Sequence, residues 1–110
     1  MGLYLAIKLL YLVKSNPMKE ATIQTLHPDP DKTNKKISLE KYEIIKKEIL
    51  AILSDGQPTH TELMELLYQS VKDTFNGGVQ WYGETVKLDL EARGVIDRIK
   101  TKPEKYRLVP

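Results

Sequence analysis

The apolar residues of this chain change their repeat at Gly94, and that change limits what the chain can fold into. Before the glycine, Tyr82, Val86 and Leu90 lie four apart with Trp81 and Leu88 beside them, the spacing of a helix face. After it, "VIDRI" is rich in β-branched residues, and in "KYRLV" Tyr106 and Leu108 alternate with Arg107 and Val109, the period of a strand. A polar tip, "KTKPE", separates the two runs. The spacing predicts a helix over 81–93, stopped by Gly94, and a β-hairpin over 95–109. Arg93 in the last turn suits the negative end of the helix dipole.

Two further helices precede this one. Ser38 is placed to accept a first-turn amide as an N-cap. Tyr42, Ile45, Ile49, Ile52 and Leu53 follow at helical spacing, and Gly56 stands where a left-handed C-cap is expected, giving a helix over 39–54. Pro58 ends any continuation, and Gln57 to His60 can form a short strand. Either Thr61 caps the next helix or Thr59 does so in a capping box with Glu62. Leu63, Leu67, Val71 and Phe75 make one apolar stripe over 62–75, and Asn76-Gly77-Gly78 is a turn by composition. The expected core is Tyr42, Ile45, Ile49, Leu63, Leu67, Val71, Val86, Leu90, Ile96 and Leu108.

The rest of the chain is less patterned. "GLYLAIKLLYLV" is apolar on every side but shorter than the ~20 residues of a spanning helix. Residues 1–17 are read as an N-terminal extension from an over-extended start, with translation beginning at Met18. The other readings are a helix packed on the domain, a dimer contact or a weak membrane anchor. Residues 18–38 are read as a polar arm, with a loop over "HPDPDKTNKKIS". Asp29, Asp31 and Asn34 only loosely resemble a calcium loop, whose spacing, glycine and closing glutamate are missing. With no cysteine, and with His27 and His60 far apart, neither a metal nor another cofactor is expected. No set of nucleophile and base stands out, so the chain reads as a non-enzyme, cytoplasmic and without a membrane span.

The order of elements is helix, short strand, helix, turn, helix, hairpin. This is a mainly α chain with a small β-hairpin (α+β), in the winged helix-turn-helix arrangement over 39–110. "LDLEARGVIDRI" followed by "KYRLV" resembles the junction between third helix and wing in winged-helix proteins, with Leu90, Gly94, Val95 and Ile96 at its key positions. "LHPDPDKTNKKISLEKYE", "THTELME" and "WYGETVKLDLEARG" resemble a family of small uncharacterised bacterial proteins across roughly 18–110. That resemblance implies a winged-helix-like fold and carries no activity with it.

Charge narrows the function. The net charge is +2, but residues 1–38 and 95–110 each carry +3 while 39–94 carry −4. In a helix-turn-helix the second helix of the pair enters the major groove. Its expected outward positions are Gln80, Gly83, Glu84 and Lys87, with Tyr82 or Thr85 at the margin. Glu84, Asp89 and Glu91 leave that helix acidic, whereas Arg98, Lys100, Lys102, Lys105 and Arg107 make the wing basic. Such a wing either holds a phosphate backbone or keeps a hairpin soluble. Trp81 and Tyr82 are expected as buried anchors against the first helix, with base or ligand stacking the alternative. The nucleic-acid-binding residues are therefore expected to be Gln80, Tyr82, Gly83, Lys87, Arg98, Lys100, Lys102, Lys105 and Arg107. The partner is DNA or, alternatively, another protein or a second copy of the chain.

Overall fold

The structure, a computed structural model, describes residues 20–110. The expectations for residues 1–17 and for a start at Met18 lie outside the described residues. The described residues are α+β, with three helices and two small antiparallel hairpins: β1 (Thr22–Gln24), β2 (Lys36–Ser38), α1 (Leu39–Asp55), α2 (His60–Val71), α3 (Val79–Ala92), β3 (Ile96–Ile99) and β4 (Lys105–Leu108).

The helix ends follow from local chemistry. The Ser38 hydroxyl accepts from the Lys41 amide and starts α1. Thr59, not Thr61, caps α2: its hydroxyl accepts from the Glu62 amide, and the Glu62 carboxylate accepts from the Thr59 amide. That box also holds the Glu62 carboxyl below its ordinary range. At the end of α3, Gly94 takes φ +72°, the Gly94 amide bonds Glu91 O, and the Val95 amide bonds Leu90 O. This is the Schellman closure, and it needs a residue tolerant of the left-handed region. Gly56 differs from expectation: its φ of 174° is extended backbone, so α1 ends without a left-handed cap. The stripe over 62–75 also unwinds early. α2 ends at Val71, although the Phe75 amide still reaches Val71 O at 2.8 Å and its ring packs on the core.

The three helices pack on one another, and α1 also lies against β4 and both strands of the first hairpin. Ile45, Ile49, Leu63, Leu67, Val86 and Leu90 are fully enclosed. Of the expected core only Leu108 is merely half-buried; Tyr106, two positions earlier on the same face of β4, is the buried one. Ile37, Leu53, Met64 and Val79 complete the core. Gly83 belongs there for a steric reason. A Cβ on it would stand 2.8 Å from Leu67 Cδ2 and 2.9 Å from Met64 Sδ, so the glycine lets α2 and α3 approach.

β3 pairs with β4 from Ile96 opposite Leu108 to Ile99 opposite Lys105. The expected strand at 57–60 is reduced to one bridge, Thr59 to Lys105, with the Tyr106 amide on Pro58 O at 2.9 Å.

Residues 22–38 depart most from the reading as an arm and loop. β1 and β2 pair antiparallel with Ile23 opposite Ile37, both turned to the core, and the Leu39 amide bonds Ala21 O. The connecting loop is tied to α3. Asn34 Nδ2 donates to Leu26 O at 2.8 Å and to Thr85 O at 2.9 Å, and the buried Thr25 hydroxyl donates to Lys35 O.

Candidate nucleic-acid interface

The residues expected to face a ligand from α3 divide by environment. Gln80 is exposed and Tyr82 half-buried, but Gly83 and Lys87 are buried, which corrects their placement on an outward face. Gly83 is turned to Leu67 and Met64. Lys87 is 2% exposed; its ammonium donates to the Tyr106 hydroxyl at 3.0 Å, sits 4.2 Å from the centre of that ring, and lies 3.7 Å from Glu84 Oε2. It is therefore a strut between α3 and the second hairpin. Thr85, placed at the margin, is buried too, its carbonyl taken by Asn34.

His60, the first residue of α2, closes the same cluster. Its Nδ1 lies 3.4 Å from Glu84 Oε2 without hydrogen-bond geometry and has no partner among the described residues. Burial, then the nearby Lys87 ammonium, pushes its pKa below the ordinary 6.5, with Glu84 opposing. The ring is thus neutral at pH 7, and the contact with Glu84 is not an ion pair there.

Asp89 is also not the free surface carboxylate that its position in an acidic helix suggests. It is fully buried and accepts from the Leu26 amide at 2.8 Å, from the Tyr42 hydroxyl, and from Arg93 Nε at 2.9 Å. Burial and the bond to Asp89 drive the Tyr42 phenol well above its ordinary value. The spacing of Asp89 and Arg93, four apart on a helix, was the one sequence signal for this pair.

The five cations of the second hairpin are not equivalent. Arg98 grips Glu91 through two bonds of 2.9 and 3.1 Å and reaches Glu104 at 3.3 Å. Glu91 is nearly buried, so this guanidinium is held against α3 rather than offered to a ligand. Arg107 is exposed and pairs at 3.1 Å with Asp97, its direct cross-strand neighbour. Both members are about half exposed, and such surface pairs are weak. Lys100, Lys102 and Lys105 are exposed and form no ion pair among the described residues.

Trp81 reverses its expectation as a buried anchor. It is 49% exposed, while Tyr82 beneath it is the packed ring. Beside them, His60, Thr61, Met64, Glu65, Tyr68 and Gln80 line a groove of about 420 Å³ between α2 and α3. Among the described residues no cluster of three or more His, Asp or Glu side chains is placed to hold a metal, and no helix is long and apolar enough to cross a membrane.

Residues 22–106 match DUF6958, a family of unknown function. The chain belongs to this family. The matched stretch begins at the first residue of β1 and reaches Tyr106 in β4, so the first hairpin is part of the DUF6958 unit. No curated protein and no solved structure matches the chain.

Proposed function

We propose that this DUF6958 chain is a non-enzymatic winged helix-turn-helix module that binds nucleic acid through its phosphates, with β3–β4 as the wing. The carrying observation is that Lys100, Lys102 and Lys105 stand exposed and unpaired on that hairpin among the described residues. The order α1, bridge at Thr59, α2, α3, hairpin, with glycines in the α2–α3 turn, supports the winged-helix reading. Arg107 is a fourth contact, since a phosphate can displace its solvated partner Asp97. The third helix supplies little direct reading of base edges, because Lys87 is buried and Glu84 is half-buried beside Gln80.

Fluorescence anisotropy on labelled duplex DNA at two salt concentrations tests this. One phosphate neutralised by each of the three lysines gives a log-affinity slope of about −2.7 against log salt, and the Arg107 contact steepens it toward about −3.6. Replacing Lys100, Lys102 and Lys105 together with glutamate should abolish binding and leave the fold intact. Absence of binding by the unmodified chain to duplex and single strands alike at low salt, up to about 10⁻⁴ M, overturns the reading. A protein-interaction module is then the better account, and the groove between α2 and α3, with Tyr68 48% exposed at its edge, is the observation that favours it.

A further inference from the structure

We propose that Trp81 is a stacking platform for an unpaired base, so that the preferred nucleic acid is a single strand or an unpaired segment; this rests on the nucleic-acid reading of the wing. Trp81 lies in the first turn of α3 with about half its surface open. The indole is braced: Tyr82 meets it edge-to-face, with ring centres 4.9 Å apart and planes at 77°. Tyr82 is held in turn by Phe75, edge-to-face at 5.2 Å, and by the Lys41 ammonium 5.4 Å from its ring centre.

The turn is shaped for this stack. Gly77 has φ +141°, and a Cβ there would stand 2.9 Å from Tyr82 Cε2. Any other residue would therefore strain the backbone and push against the ring that supports Trp81. A braced ring loses little side-chain freedom on binding, so most of the stacking energy is retained.

What can use such a ring follows from nucleic-acid chemistry. In a duplex both faces of a base are covered by its neighbours, and only the edges and phosphates are open. An unpaired base has a free face, and stacking on an aromatic ring is tolerant of base identity. The edge-reading side chains that a duplex would demand of α3 are missing, apart from Gln80. An indole with about half its surface open is present, and Lys41 lies beside the Tyr82 ring that braces it.

Trp81 is the only tryptophan of the chain, so its emission reports on the site directly. The test uses the full chain with oligothymidylate and oligouridylate of about 15 nucleotides, within reach of known single-strand sites, and a blunt duplex of similar length. Tryptophan emission and anisotropy of labelled oligomers are both read. Single strands should quench Trp81 more than the duplex does, and the better of the two will show whether DNA or RNA is preferred. Trp81→Ala should weaken single-strand binding about 5- to 150-fold, the equivalent of ~1–3 kcal/mol for one stacked base, and leave duplex affinity nearly unchanged. Trp81→Phe should keep most of the affinity, and circular dichroism should show both variants folded. Salt-sensitive binding with no change in emission and no loss in Trp81→Ala overturns the stacking role and leaves the wing reading intact. Stronger quenching by the duplex overturns the preference for unpaired bases. Binding to none of the three overturns both.

Discussion

Lys87 holds its ammonium 3.0 Å from the Tyr106 hydroxyl, whereas Lys100, Lys102 and Lys105 project from a solvated hairpin. The same side-chain chemistry thus serves packing in one place and, in the proposed function, a ligand in the other, and the two uses separate by mutation. Lys87→Met should cost about 1–3 kcal/mol in a urea titration, because the buried Tyr106 hydroxyl loses its partner. It should leave nucleic-acid affinity unchanged by anisotropy; a marked fall in affinity of the folded variant would return Lys87 to the interface. His60 sets a pH dependence in the same cluster, where Glu84, Lys87, Arg98 and Glu91 act on it. Its folded pKa lies below the unfolded 6.5, so the unfolded chain takes up the proton more readily. The stability it contributes is complete above 6.5 and is lost as pH falls through the lower folded value. Urea midpoints at about pH 7.5 and 5.5 should therefore fall on acidification, and fall less in His60→Asn. Equal losses in the two proteins would place the effect on other groups.

Among the elements, the contact between α2 and α3 depends on a residue without a side chain. Gly83 in mid-helix costs α3 some intrinsic helix stability, about 1 kcal/mol against alanine. The return is close approach to Leu67 and Met64. Gly83→Leu should destabilise by about 3 kcal/mol or more, the upper end of overpacking costs, because Leu67 is fully enclosed and has no room to yield. Thermal unfolding followed by circular dichroism measures this. A variant as stable as the parent would mean that the helices can separate without loss. The second hairpin is anchored at the element scale as well, by Arg98 on Glu91 and by the Tyr106 amide on Pro58 O.

Across the molecule, Asp89 joins parts that lie far apart in sequence. It receives the Leu26 amide from the first hairpin's loop, the Tyr42 hydroxyl from α1 and Arg93 from the end of α3. Removing it strands the buried Tyr42 hydroxyl and the part-buried Leu26 amide, at about 1–3 kcal/mol for a donor that water cannot reach, while Arg93 can turn to water. Asp89→Ala should therefore destabilise the whole chain by about 3 kcal/mol or more in urea. It should also raise the hydrogen-exchange rate of the Leu26 amide beyond what the global loss explains. A Leu26 amide that exchanges no faster than the core amides of the same variant would show that the loop is held by Asn34 and Thr25 instead.

Periodicity and punctuation in the sequence were enough for three helices, the second hairpin and most of the core, since a stripe such as Leu63, Leu67 and Val71 has one way to be buried. Charge segregation was enough to mark the hairpin over 95–109 as basic beside an acidic helical middle. The first hairpin was not legible, because strands of three residues are too short to show a period, and their pairing across Ile23 and Ile37 is a contact at a distance. Nor could spacing tell a buried lysine from a solvated one. Lys87 is enclosed only because Tyr106 arrives from β4, and Trp81 is open because Tyr82 takes the place beside Phe75. A helical repeat determines which residues share a face, but what covers that face depends on the elements packed against it. That is why the candidate interface lost Gly83 and Lys87 of α3 and kept three lysines of the second hairpin, with Trp81 added.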